Sequence, residues 1–185
     1  LPISPDHPAK LYVEKRRIPS NMHHKLFYAP KFKSWVNSII PEKFDEAGKD
    51  EPRLIIPFLN EDKELIGFQG RSFKKDDPLK YITIMLTEDP KIFGLDTLDK
   101  SERIYTFEGP IDAMFIENSI ASAGGRLDTN LELAELDKSK CILVYDNEPR
   151  SPETVKKIQK SIKLGYQVCI WPENINYKDI NDMVL

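Results

Sequence analysis

Apolar residues follow two rhythms along this chain. Between residues 53 and 86, the runs Arg53-Leu-Ile-Ile-Pro-Phe-Leu59, Leu65-Ile-Gly-Phe-Gln-Gly-Arg-Ser-Phe73 and Lys80-Tyr-Ile-Thr-Ile-Met-Leu86 have the length and composition of strands. The polar Asn60-Glu-Asp-Lys-Glu64 between the first two predicts a hairpin. From about residue 100 the order becomes regular. Arg103–Phe107 reads as a strand, Pro110–Asn118 as a helix and Ile120–Ala123 as a short strand, and Thr129 with Glu132 predicts a capping box opening a helix to about Asp137. Cys141-Ile-Leu-Val-Tyr145 is continuously apolar, as in a strand buried on both faces. Ser151 as N-cap, Pro152 at the first helical position and Gly165 beyond the end delimit the next helix, and Tyr166–Trp171 is the last strand. Short helices are expected over Leu11–Arg17 and Lys33–Ile40.

Strand and helix alternating with short connections imply right-handed βαβ units. The predicted class is therefore α/β: a Rossmann-like, mainly parallel sheet with helices on both faces over residues 101–185, preceded by a smaller mixed α+β subdomain over residues 1–100. The 185 residues suffice for one sizeable core without crosslinks. Cys141 and Cys169 both lie in apolar runs, which predicts reduced, buried thiols and a cytoplasm-like compartment. No apolar stretch approaches the roughly 20 residues that cross a bilayer, so no membrane partner is expected. The chain begins at Leu1 and not at Met, which suggests an excised fragment.

A formal net charge of −3 conceals an asymmetry. Residues 1–35 carry Lys10, Lys15, Arg16, Arg17, Lys25, Lys31 and Lys33 against Asp6 and Glu14 alone, a basic entry segment suited to phosphate or to a solvated face. Acids gather instead in the second half, where an α/β sheet presents its functional groups beyond the carboxyl ends of its strands. Glu108 follows one predicted strand and Asp146 and Glu148 another; Asp112 falls on the first turn of a helix, and Asp179 and Asp182 follow the last strand. Each has a structural reading, Glu108 complementing a helix N-terminus and Asp146-Asn147 forming a turn. Together they suit a hard divalent cation, because carboxylates crowded at adjacent strand ends repel unless a cation neutralises them. Gly109 suits a tight strand-to-helix turn.

Glu108-Gly-Pro-Ile-Asp112, Tyr145-Asp-Asn-Glu148 and Lys178-Asp-Ile-Asn-Asp182, in this order and spacing, resemble the Toprim domain shared by DnaG-type primases, phage primases, topoisomerases and some nucleases. The Glu-Gly-x-x-Asp and Lys-Asp-x-Asn-Asp forms are closer to the primase and primase-helicase branch. Upstream, Ala9–Ile18, Ile56-Pro-Phe58, Ile66–Arg71, Lys80-Tyr81 and Phe93-Gly-Leu95 resemble the basic subdomain that precedes Toprim in DnaG-like primases. The likeness covers nearly the whole chain. It implies Mg²⁺, with Mn²⁺ as a substitute, organised by Glu108, Asp146 and Glu148, where Glu148 replaces the family's second Asp. It further implies that Asp112 joins the catalytic set, and that Arg71, Lys80, Lys178 and Asp179 face nucleotide or nucleic acid.

The implied activity is template-directed synthesis of short RNA primers on single-stranded DNA by nucleotidyl transfer. The implied partners are the DNA template, NTPs, the RNA primer and a replicative helicase, in trans or fused, in a bacterial cell or phage-infected host. The cysteines and His7, His23 and His24 lack zinc-ligand spacing, and no Walker A pattern is present. Two rivals stand beside this reading: a Toprim nuclease in which metal-activated water replaces the 3′-OH, and an inactive nucleic-acid-binding module.

Overall fold

The computed structural model of the chain describes residues 4–45, 48–124 and 127–185. Its first sheet is antiparallel, in the order β1-β2-β3-β4, where β1 is Phe27–Ala29, β2 Arg53–Leu59, β3 Leu65–Ser72 and β4 Tyr81–Met85. β2 and β3 form the predicted hairpin, with Arg53 opposite Ser72 and Leu59 opposite Leu65. β2 is apolar nearly throughout because neither of its faces is wet. Leu54, Ile56 and Phe58 enter a core shared with the second sheet, while Ile55 joins Phe32, Val36 and Phe68 in a cluster with helix α2, Phe32–Ile39. Pro57 interrupts nothing on the β1 side, since β1 pairs with Arg53–Ile55 only. Glycine is required at position 70, where a Cβ would sit 2.4 Å from the Phe32 ring.

The second sheet runs β5-β7-β6-β8-β9, from β5 Ile92–Phe93, β6 Ile104–Phe107, β7 Ser119–Ser122, β8 Cys141–Val144 and β9 Gln167–Val168. All its pairings are parallel except β5 with β7. Helices cover both faces. Ile111, Ala113 and Met114, in and just after α3 (Pro110–Ala113), pack with Phe107, Ala121 and Val144 in the core shared with the first sheet. Leu127 and Leu131 of α4 (Leu127–Leu133) and Ile158 of α5 (Pro152–Lys163) cover Ile104, Ile120 and Leu143 on the other face. Leu131 and Leu143 are fully buried, each contributing on the order of 2 kcal/mol of hydrophobic stabilisation.

Several boundaries differ from the sequence reading, for local physical reasons. The predicted helix Pro110–Asn118 is regular only to Ala113. Its later turns close with short-range bonds such as Phe115 N–H to the Asp112 carbonyl, and the Ser119 hydroxyl donates toward the Ala113 and Ile116 carbonyls. Thr129 lies inside α4 and is no N-cap, and that helix stops before Glu135, whose φ of 53° is left-handed. The last strand is shorter than Tyr166–Trp171, and the indole of Trp171 turns back to donate to the Tyr145 carbonyl at 2.8 Å. Helix α1 spans Pro8–Lys15, earlier than expected, because the His7 ring accepts from Ala9 N–H and caps it. His23 sits in a short 3₁₀ turn, Ser20–Lys25, with Nε2 2.9 Å from the Ile18 carbonyl. α5 follows the sequence closely, with Ser151 accepting from Thr154 N–H and Gly165 at φ 88° beyond the end. Both cysteines are free, and burial pushes the Cys141 thiol up to about 11. Among the described residues no helix is long and apolar enough to cross a membrane.

Candidate functional site

The parallel register sets the site. β6 and β8 are neighbours with Phe107 opposite Val144, so the chain leaves both strands at one level and brings Glu108 beside Tyr145 and Asp146. Asp112 stands one turn along in α3. The segment after β9 is tied down by Asn147, whose side-chain amide donates to the Ile175 and Tyr177 carbonyls while its backbone N–H donates to that of Lys178. That clamp delivers Asp179, which accepts from Asp182 N–H at 2.7 Å and caps α6, Ile180–Val184. Glu108, Asp112, Asp146 and Asp179 thereby line one small cavity floored by Phe107, Val144 and Trp171. Asn147 is a turn residue, as its type suggests, but its larger effect is to staple the third acidic motif to the second.

The charges here are held by lysines. Lys178 Nζ lies 3.0 Å from Glu148 and 3.3 Å from Asp146, and Lys157 Nζ lies 2.8 Å from Glu108. Hydrogen bonding to Lys178 lowers the pKa of Glu148, and the Glu148 bond with the Asp146 charge raises that of Lys178. Burial raises the pKa of Asp146 despite Lys178. Lys157, whose charge burial opposes, is still held above the ordinary lysine value by its Glu108 bond. Among the described residues no three His, Cys, Asp or Glu side chains converge closely enough to hold a metal ion.

Asp112 is strongly perturbed. Burial raises its pKa to about 6, Asp179 and Asp146 push the same way, and a hydrogen bond from Asn181 N–H at 3.0 Å with the Arg16 charge opposes them. The Asn181 side chain, 2% exposed, faces helix α1: its amide donates to the Arg16 carbonyl at 2.8 Å and its oxygen accepts from the Arg16 guanidinium. Arg16 also lies 5.3 Å from the centre of the Tyr12 ring. Tyr12 OH in turn accepts from Arg71 Nε at 3.0 Å, and the Arg71 guanidinium lies 4.3 Å from the centre of the Tyr81 ring.

Arg71 is buried in the wall of a groove of about 570 Å³ that also receives Lys74, Lys75 and Lys80 from one side and Lys178 and Asp179 from the other. Its Nη1 is closed off from solvent and has no hydrogen-bond partner among the described residues. Buried guanidinium donors are normally paired, and this one contributes positive charge to the groove wall and no exposed donor. The basic groove and the acid cavity share the Asp179 wall.

Sequence reading missed Arg16, Tyr12, Asn181 and Lys157, which stand in the site by tertiary contact. Arg16 had a weak signal in the basic entry segment, whereas nothing local marks Lys157, which reaches Glu108 from the second turn of α5. Gly109 needs correction: its φ of −128° suits any residue, and a Cβ there would meet only Asp112 Oδ2, at 3.6 Å.

No protein-family model matches the chain. It is 41% identical over 184 residues to the DNA primase of Enterobacteria phage T4, covering 98% of this chain and 52% of that protein, so it spans about half the length of that curated relative. The fold is shared with the Aquifex aeolicus primase zinc-binding and RNA polymerase domains (TM-score 0.71, 22% identity, 97% of this chain and 52% of that one). It is shared also with the E. coli primase catalytic core (TM-score 0.67, 19% identity, 96% and 68%). A DnaG primase catalytic domain solved with single-stranded DNA superposes with a TM-score of 0.65 at 19% identity, over 96% of this chain and 67% of that one. By sequence the chain is similar to a phage DNA primase over about half of that protein's length, and its fold is that of the DnaG-type primase catalytic cores.

Proposed function

We propose that this chain is the catalytic core of a DNA primase, which joins ribonucleotides on a single-stranded DNA template by attack of a primer 3′-OH on the α-phosphate of an NTP. The observation that carries the reading is the shared wall at Asp179, which sets a cavity of four carboxylates against a groove lined by lysines and a buried guanidinium. Residues 101–185 organise the metal and residues 1–100 grip the template.

Glu108, Asp146 and Glu148 would hold Mg²⁺, or Mn²⁺ in its place, by drawing closer than they stand here: the donor set is all carboxylate oxygen, as a hard cation requires, and ammonium groups already stand against each of its members. When bound, the ion lowers the pKa of the attacking hydroxyl and neutralises charge on the triphosphate. Asp112 and Asp179 support that set from the cavity wall. Arg71 and Lys80 hold template or triphosphate phosphates, and Lys178, once released from Asp146 and Glu148, turns to a phosphate across the groove. The partners are template DNA, NTPs, the RNA primer and a replicative helicase acting in trans or as a fused domain, in the cytoplasm of a bacterial or phage-infected cell.

The test uses the full-length protein with single-stranded template, labelled NTPs and Mg²⁺. Label entering short RNA supports the proposal. Shortening of labelled DNA without NTPs indicates the nuclease instead, and DNA binding with neither reaction indicates an inactive module.

Two further outcomes are expected. Mg²⁺ or Mn²⁺ should raise the melting temperature, since an ion at about 100 times its Kd adds roughly 2.7 kcal/mol by mass action on the native state. An equal shift in Asp146→Ala, measured by calorimetry, would remove these acids from the metal site. Replacing Arg71 and Lys80 together by Ala should weaken single-stranded DNA binding, flatten its salt dependence by about 1 to 2 in log–log slope, and leave the metal-induced shift intact. Unchanged DNA affinity in fluorescence anisotropy would take both residues out of the groove's function.

A further inference from the structure

We infer that Asn181 is a positioning residue that fixes the register between the template groove and the acid cavity, an inference that rests on the function proposed above. Its backbone N–H and its side chain are bound to different parts of the molecule. The N–H donates to Asp112, inside the acid cavity, at 3.0 Å. The side chain uses both ends of its amide on one residue, the C-cap of α1: Nδ2 donates to the Arg16 carbonyl at 2.8 Å and Oδ1 accepts from the Arg16 guanidinium. A planar amide with both ends bound leaves Arg16 little freedom to slide or turn.

The Arg16 carbonyl is available to Asn181 because of how α1 ends. Arg17 takes a left-handed φ of 51°, its N–H returns to the Glu14 carbonyl and that of Ile18 to Val13, which turns the chain away before Arg16 is paired. Arg17 reaches the same C-terminal helix independently, its guanidinium donating to the Val184 carbonyl at 2.7 Å. From Arg16 the chain of contacts continues through Tyr12 to Arg71. Asn181 is therefore the member of this series that touches both α1 and the acid cavity, and it is almost completely buried, as a strut must be to resist displacement. Of the polar residues in the third acidic motif, it is the one without charge, so its contribution is geometric.

A strut of this kind acts on turnover and not on binding. Without it the groove still holds DNA and the acids still hold metal, but the primer terminus and the reacting phosphate are presented in the wrong relative place, and misplacement by about 1 Å costs up to about a hundredfold. The experiment compares full-length wild type, Asn181→Ala, Arg16→Ala and the double variant. Measurements are made well below each melting temperature and normalised to the folded fraction. Expected are a fall in primer-synthesis kcat of at least about tenfold for Asn181→Ala, with KM for NTP and Kd for template within about twofold of wild type, and a fall for the double variant smaller than the product of the two single ones, since Arg16→Ala removes the guanidinium bond to Asn181 and leaves the carbonyl one. A merely structural Asn181 would lower the melting temperature and leave kcat per folded molecule unchanged, which overturns the inference, as do independent, multiplying effects of the two substitutions. If the wild type itself makes no primer, the proposed function falls. The inference is then decided by the dependence of template affinity on Mn²⁺, which Asn181→Ala should abolish while preserving affinity for each alone, and which it would leave intact if Asn181 couples nothing.

Discussion

Glu108→Gln in the full-length protein should abolish primer synthesis, with a loss of at least about a hundredfold in kcat, while the protein remains folded. The substitution keeps the size of the side chain and its hydrogen-bonding atoms but removes the charge, so it separates two roles that the sequence alone allowed. As a complement to a helix N-terminus, Glu108 contributes ~0.3–1 kcal/mol of stability and nothing to chemistry. Its surroundings favour the other role. α3 has four regular residues and follows Gly109, an N-cap that offers no side-chain hydrogen bond, and the Glu108 carboxylate points instead to Lys157 Nζ at 2.8 Å. A carboxylate that a cation already seeks, one residue beyond a central parallel strand, suits an organiser of charge in the transition state, and losing one such electrostatic contact costs about a hundred- to a thousandfold. Lys157 keeps Glu153 as a partner at 3.2 Å, so the variant leaves no stranded ammonium to confuse the result. Near-normal synthesis of RNA by folded Glu108→Gln would remove the metal-organising role and the main chemical argument for a polymerase.

The elements with one dominant local cause were legible before any coordinates. α5 carries its cap, its proline and its terminating glycine in the sequence, and the β2–β3 hairpin carries its polar turn, so both emerge with nearly the expected bounds. Elements decided by distant partners were not legible. β1 has three residues and β5 two, each a strand only because β2 or β7 offers an edge. Ile92 and Phe93 precede the first parallel strand by ten residues and more, yet their antiparallel pairing extends the second sheet. The same division runs through the site. The acids are spaced after strands, where α/β folds place function, and were found; Lys157, Tyr12 and Asn181 depend on which helix packs over which strand end. Arg71 could be named from its motif, but not its burial, nor its contacts with Tyr12 and Tyr81.

Asp112→Asn should make the metal-free protein more stable at neutral pH. The Asp112 carboxyl is held at about 6, chiefly by burial and then by Asp179 and Asp146, against an ordinary value of 3.8. Because the folded chain binds this proton more tightly than the unfolded chain, the carboxyl does no harm below pH ~4, where it is protonated in both states. The penalty grows as pH rises from about 4 to 6 and is constant above that, reaching about 2 to 3 kcal/mol for a shift of this size. An asparagine of the same shape still accepts from Asn181 N–H through its oxygen but carries no charge to desolvate. Urea unfolding in a chelator at pH 8 should therefore show the variant more stable than wild type by about 2 kcal/mol, with the difference shrinking through pH 6 and gone near pH 4. Saturating Mn²⁺ should reduce or reverse the difference, because a cation in the cavity supports ionised Asp112 and gains less from a neutral amide. A stability difference independent of pH would show that Asp112 is ionised at no cost in the folded chain. An advantage for the variant undiminished by metal would show that Asp112 lies outside the field of any bound ion, and would confine the catalytic carboxylates to Glu108, Asp146 and Glu148.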